Sequence, residues 1–270
     1  MKRTWFGLLG VLAGFAALPY GPSSALAQTA PPLGRLQQFS VLGNSGVAGS
    51  TGAGTMVNGD VGSSPTASIT NFPPSSVTPP FTLHTTNDAI VQQAHADAIT
   101  AYNNLAAQGP GTALAAQLNG AVLTSGIYSF TGGAADLAAG GTLTLNGPGV
   151  FVFQVNSTLT ANVGSNVTGS ADPCNVFWRV GTSATLNGSS FRGTVIANAN
   201  VSVGAGSTLT GRAIAGTGVT GAVTMAGSGG NAVGACASTV FPAVGVGGMA
   251  VLVLLLSGAG GVFVMRRRSV

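Results

Sequence analysis

Five aspartates (Asp60, Asp88, Asp97, Asp136, Asp172), two histidines (His84, His95) and two cysteines (Cys174, Cys236) make up nearly all the side chains suited to acid–base or metal chemistry, because the chain contains no glutamate. General acid–base catalysis needs a carboxylate or histidine paired with a partner, and a metal site needs several ligands at close spacing. Neither pattern is present: Asp60 follows a glycine in Gly59-Asp60-Val61-Gly62, where an aspartate ordinarily bonds a turn backbone, and His95 lies in a helical pattern as a polar surface residue. The residue types therefore predict no enzyme, no cofactor and no metal. What does recur is the small hydroxyl. "STLTANVGSNVTG" from Ser157 is echoed by "SATLNGSSFRG" from Ser183 and "NVSVGAGSTLTG" from Asn200.

Alternation along a strand turns this echo into a surface. If Leu159, Ala184, Val201 and Val219 point inward, their neighbours point outward. One outward ladder is then Thr158, Ser183, Asn200 and Gly218, and the next is Thr160, Thr185, Ser202 and Thr220. Rungs of a sheet stand about 4.8 Å apart and alternate residues of a strand about 6.7 Å apart. Threonine suits exposed strands by shape alone, yet exposed strands usually also carry lysine, arginine or glutamate, which block edge pairing. These rungs carry none. A grid of hydroxyls and methyls without long or charged groups is suited to ordering water, whereas a charged ligand or a sugar would call for other residues.

The elements that must hold such a grid are visible as a repeat. The apolar runs "FVFQVN" at Phe151, "VFWRVG" at Val176, "TVIANA" at Thr194 and "RAIAGT" at Arg212 are offset by 25, 18 and 18 residues, and "GSSFRG" at Gly188 and "GSTLTG" at Gly206 are also 18 apart. Three short strands with Gly or Asn corners in a period near 18 make one coil of a triangular β-solenoid. The first strand class is apolar on both sides, so both sides are covered. The available cover is the single helical pattern, about 85–108, where Thr86 or Asn87 offers a cap, Asp88 falls in the first turn and Gly109-Pro110 ends it. The helix is expected along the face of Phe151, Phe177 and Ile196, with Phe177 and Trp178 as core.

Composition agrees with a folded, nearly uncharged body. Charged residues are 5% against 45% hydrophobic and 43 glycines, too apolar for disorder. Between the termini Arg35, Arg179, Arg192 and Arg212 face five aspartates, so the basic footprint of a nucleic-acid partner is missing. The ends read as addresses. Residues 1–27 have a basic start, an apolar run and an Ala25-Leu26-Ala27 site, which predicts a signal peptide. Residues 241–265 are long and apolar enough to cross a bilayer, and Arg266, Arg267 and Arg268 after them are expected to stay cytoplasmic. The solenoid domain is assigned to 33–226, a linker to 227–240 and the basic tail to 266–270. In an exported body Cys174 and Cys236 are either a disulfide or two free thiols.

Two resemblances add to this reading. The C-terminal layout resembles the sorting tags of Gram-negative bacteria, which implies membrane retention or release by a sorting protease, although Phe241-Pro242-Ala243-Val244 is a loose form of their motif. "FSVLGNSGV" at Phe39, "VNGDVGSSPTASITNFPP" at Val57, "LTSGIYSF" at Leu123, "GPGVFVFQVNSTLT" at Gly147, "CNVFWRVGTSATL" at Cys174 and "GRAIAGTGVTGAVT" at Gly211 are similar, in order, to blocks of the microbial type 1 ice-binding proteins. That family implies a mainly β fold: a discontinuous three-faced β-solenoid, expected right-handed, with one α-helix alongside. It also implies a monomer without cofactor or catalysis that adsorbs to the ice surface, whose repeats the two grid spacings approach. A Thr-Gly/Ala-x-Thr/Asn pattern described for its ice face fits Thr217-Gly218-Val219-Thr220, fits Thr182-Ser183-Ala184-Thr185 with serine second, and fits Ala199-Asn200-Val201-Ser202 less well. The readings that remain beside it are an adhesive or structural envelope solenoid and, more remotely, a polysaccharide-acting β-helix enzyme.

Overall fold

The computed structural model describes residues 28–188, 190–225 and 231–236. The expected signal peptide (1–27), membrane helix (241–265) and basic tail (266–270) lie outside these, and no helix among the described residues is long and apolar enough to cross a membrane.

Short parallel strands stack into coils with three faces. The first face holds Gly126–Phe130, Phe151–Val155, Val176–Val180 and the second halves of Ser190–Ala197 and Thr208–Ile214. A second, separate sheet holds Ala135–Leu137, Leu159–Ala161, Ala184–Leu186, Val201–Val203 and Ala222–Met225. The third face holds Thr142–Leu145, Asn166–Thr168 and the first halves of the two long strands. Those long strands run without a break from the third face into the first, turning at Gly193 and Gly211. At Gly211 a β-carbon would stand 1.9 Å from the Gly193 carbonyl oxygen, so the bend requires glycine.

The stack is out of chain order. Phe39–Gly43 pairs in parallel with Thr208–Ile214, and Gly46–Ala48 with Ala222–Met225, so the N-terminal coils complete the end that the C-terminal coils leave open. The chain then runs along α1 (Ala89–Ala107) to the far end, at Thr112–Leu114, and winds back. This is the discontinuous arrangement the resemblance implies.

Inside the coils, inward residues alternate with outward ones as the pleat requires. Phe151, Phe153, Val155, Trp178, Leu159, Ala184, Leu143 and Leu209 share one buried core. A second cluster lies under α1, where Val91, Ala94, Ala98, Ala101 and Leu105 rest on Leu42, Val152, Phe177, Ile196 and Ile214. The helix thus covers the expected face, but Phe151 points into the coil and its neighbour Val152 meets the helix. The alanines let the helix axis approach closely, and a β-carbon at Gly62 would come within 3.0 Å of both Phe39 and Val91. There is no spare room. Ala98→Leu is expected to cost about 1–3 kcal/mol through overpacking, measured by thermal unfolding; an unchanged melting temperature would contradict this packing.

Three expectations are corrected. Asp88, not Thr86 or Asn87, caps α1, its carboxylate accepting from the Ile90 and Val91 amides at 2.9 and 3.0 Å. The apolar strand at Val176 aligns one residue differently, Phe177 with Thr194, an offset of 17. The assigned linker contains a strand, Asn231–Ala235, paired with Thr208–Ile214 and Thr55–Asn58, with Val233 buried. Its single large inward residue between Ala and Gly made it look like linker.

Candidate functional site

The second sheet is the bare one. Its central outward column, in spatial order, is Asp136, Thr160, Thr185, Ser202, Thr224, Ala48 and Thr70, each aligned directly with the next. Seven rungs at about 4.8 Å give a face roughly 29 Å long. Carrying the same register two residues back gives a second column of Ala134, Thr158, Ser183, Asn200, Ala222, Gly46 and Ser68. Leu159, Ala184, Val201 and Val223, between the columns, are buried. No lysine, arginine or aromatic stands in either column. The one charge, Asp136, sits at the narrow end and is held by the Asn162 and Gln117 side-chain amides.

Some of these side chains also hold the sheet together. The Ser183 hydroxyl accepts from the Asn200 amide at 3.3 Å, and the Asn200 side-chain carbonyl accepts from the Ala222 amide at 2.9 Å. Thr160, Thr185 and Ser202 are half-buried between neighbouring rungs, with Thr224 exposed. A face whose side chains are wedged this way presents fixed methyl and hydroxyl positions.

The sequence places most of this correctly and one rung wrongly. Thr158, Thr160, Ser183, Thr185, Asn200 and Ser202 stand in the two columns, and Thr182 is exposed at the corner just before them. Thr217, Gly218 and Thr220 do not. The chain from Gly216 to Gly221 forms an extra turn, so Ser202 aligns with Thr224, 22 residues on, instead of Thr220. Thr217 is buried with its hydroxyl donating to the Ala197 carbonyl at 3.2 Å, and Val219, expected inward, is 53% exposed. The rungs Thr224, Ala48 and Thr70 were missed. Alternation in "AVTM" and "ITN" was the available signal, but nothing local shows that residues 46–70 join a stack built from 135–225.

The other two faces differ. The first is roofed by α1. On the third, Arg192 stands mid-face with its guanidinium donating to the Gly169 carbonyl at 3.0 Å. Met56, 64% exposed, rises beside an apolar groove floored by Ala232 and Gly234, which also takes in Thr208 and Thr210. It is neither flat nor uniform.

The acid–base residues go into structure. His84 lies between Asp88 (Nδ1 to Oδ2, 2.9 Å) and Asp60 (Nε2 to Oδ2, 3.5 Å), stacked on the Phe39 ring, with only 8% of its side chain exposed. Asp60 also accepts from the Thr82 amide at 2.7 Å, the turn role its sequence suggests. His95 is half-buried, with Nε2 3.2 Å from the Gly216 carbonyl. Cys174 and Cys236 form a disulfide, Cα–Cα 5.3 Å.

The His84 cluster predicts a pH dependence. The hydrogen bond to Asp60 chiefly, and that to Asp88, raise the imidazole above its usual pKa against the opposing effect of burial. Its stabilisation is therefore fully present below the unfolded value near 6.5 and is lost as pH rises through the raised folded value. For Asp88, burial raises the pKa but the His84 and backbone hydrogen bonds outweigh it, so the net shift is downward; its stabilisation is lost only as pH falls. The melting temperature is expected to drop between about pH 5.5 and 8.5, and this drop should shrink in His84→Gln. An equal drop in that variant would assign it elsewhere.

Stacked parallel coils, a helix roof on one side and an open uncharged face on another define a helix-flanked β-solenoid with one broad flat surface. The chain belongs to the Ice-binding-like family, whose profile matches residues 41–229, more than half its length. The ice-binding protein of Nostoc sp. (strain HG1) is 37% identical over 200 residues, 72% of this chain and 71% of that protein. The crystal structure of the ice-binding protein from the Antarctic ascomycete Antarctomyces psychrotrophicus matches with a TM-score of 0.66 and 36% identity, over 78% of this chain and 100% of that one. An ice-binding protein from an Antarctic biological consortium matches with a TM-score of 0.68 and 38% identity, over 77% of this chain and 92% of that one.

Proposed function

We propose that this protein binds ice by laying the bare face on the crystal, and so restrains growth and recrystallisation. The observation that carries the reading is the two-column grid of small side chains, seven rungs long and free of lysine and arginine, on a fold whose relatives are named for ice binding. Each outward group makes a weak contact. Adsorption comes from many contacts made together by a rigid surface, because little conformational entropy is then lost on binding. The charge on Asp136 falls at the end of the grid, where it interrupts least.

The body acts outside the cell as a monomer. The signal-like residues 1–27 support export, and the apolar run 241–265 with Arg266 to Arg268 supports retention in the membrane, or later release by a sorting protease. Fragment 28–238, added to fine ice in concentrated sucrose held just below melting, is expected to keep crystals small over hours. Coarsening at the rate of an albumin control would refute the proposal.

A further inference from the structure

We infer that the long edge where the third face turns into the first, at Gly193 and Gly211, is the side of the body that faces the bilayer, so that a membrane-held copy presents the bare face outward. This rests on the membrane-retention reading above and adds to it a surface, a partner (lipid) and a device that fixes the orientation.

The edge is defined by topology. In a three-faced coil, the edge between two faces is opposite the remaining face. Ser190–Ala197 and Thr208–Ile214 pass unbroken from the third face to the first, whereas the bare face is a sheet of its own. The edge at Gly193 and Gly211 is therefore opposite the bare face.

The chain leaves the body at this edge. Ala235 aligns with Gly211, and Cys236 follows it. Two independent contacts hold Cys236 there. Its sulfur is bonded to Cys174, in the turn Pro173–Asn175. Its carbonyl accepts from Nη2 of Arg212, which is 3% exposed. That guanidinium also donates to the Phe39 and Gln37 carbonyls at 3.1 and 3.3 Å and to the Thr194 hydroxyl at 3.2 Å. Burial lowers its pKa to about 10, so it remains charged at neutral pH. Carbonyl oxygens take the place of a carboxylate around it, and Cys236 supplies one of them.

A fixed exit matters because the tether is short. Residues 237–240 separate the disulfide from the apolar run. Four residues span at most about 14 Å fully extended. A face five residues wide is about 17 Å across. The tether is thus shorter than one side of the coil, and the body cannot roll far enough to lay the opposite face on the bilayer. Without the disulfide and the Arg212 contact, Asn231–Ala235 is free to peel away, and the tether lengthens toward Met225.

The test uses the full chain in phosphatidylcholine–phosphatidylglycerol vesicles doped with a headgroup quencher. A fluorophore is attached through a click-reactive residue at Arg35, two residues from Gln37, or at Thr185, mid-way along the bare face. Flotation comes first. A chain that does not float overturns the retention reading, and the inference with it. For a floating chain, quenching at position 35 is expected to exceed that at 185 several-fold. Cys236→Ser should reduce the difference, and twelve Gly/Ser residues inserted after Ser238, which leave the fold untouched, should abolish it. Equal quenching at both positions in the native chain would overturn the inference, as would a difference that survives the inserted linker.

Discussion

Thr185→Lys should raise the concentration of fragment 28–238 needed to hold ice-crystal size by on the order of ten-fold or more, equivalent to at least about 1.4 kcal/mol of lost adsorption. Thr185 is the third of seven rungs, between Thr160 and Ser202. A lysine there carries a tightly hydrated charge on a four-carbon stem, which holds the rungs on either side off a flat solid. The loss therefore extends well beyond one contact. The fold should not suffer, since Ala184 and Leu186 remain buried on the other side of the strand. Surface exchanges cost under about 0.5 kcal/mol, or roughly 1–2 °C in a domain of this size. Thr224→Tyr should act likewise, and Thr220→Tyr less, because Thr220 lies in the extra turn outside the columns. Arg192→Tyr, on the third face, should leave ice activity intact. If Arg192→Tyr were the damaging change and both column changes silent, the active side would be the third face.

The largest effect on stability is expected inside the coils. Tyr128, Phe153, Trp178 and Phe191 form a continuous aromatic stack through four turns of chain, tightest at Phe153–Trp178 with ring centroids 3.9 Å apart and planes 10° from parallel. Trp178 is fully buried, and its indole N–H donates to the Arg192 carbonyl at 3.0 Å. Trp178→Ala should cost about 3–5 kcal/mol through the cavity it leaves and lower the melting temperature by roughly 10 °C or more. Trp178→Phe retains the stack and loses only the hydrogen bond, so it should cost less. Comparable losses from both exchanges would mean that the N–H bond, and not packing, holds the centre of the solenoid.

Local pattern made some of this readable before any coordinates. Alternation in "STLTA" and "SATL" puts one side of a strand in the core, so Thr158, Thr160, Ser183 and Thr185 could be assigned to the outward side. The doubly apolar run at Phe151 required cover, and one helix was there to supply it. What failed depended on length and distance. The turn Gly216–Gly221 is four residues longer than an 18-residue coil allows, and fixing the period there moved the fourth rung to Thr220, with Val219 wrongly inside. A strand slip of one residue reverses both sides, which is also why Phe151 was placed under the helix instead of Val152. Ala48 and Thr70 lie more than 150 residues from the strand they extend, and no local rule links such segments. The acid cluster was hidden similarly: Asp60 and His84 meet only because α1 starts beside the strand Asp60–Ser63.

The central claim, that this solenoid adsorbs to ice through its surface, is tested most directly by slow growth of an ice hemisphere in a dilute solution of fluorescently labelled fragment 28–238. An adsorbing protein is overtaken and incorporated by the advancing ice, whereas an ordinary solute is pushed ahead of it. The account predicts a fluorescent hemisphere from the native fragment and a dark one from the Thr185→Lys fragment. A native fragment left in the liquid, while a known ice-binding control is incorporated, would contradict it.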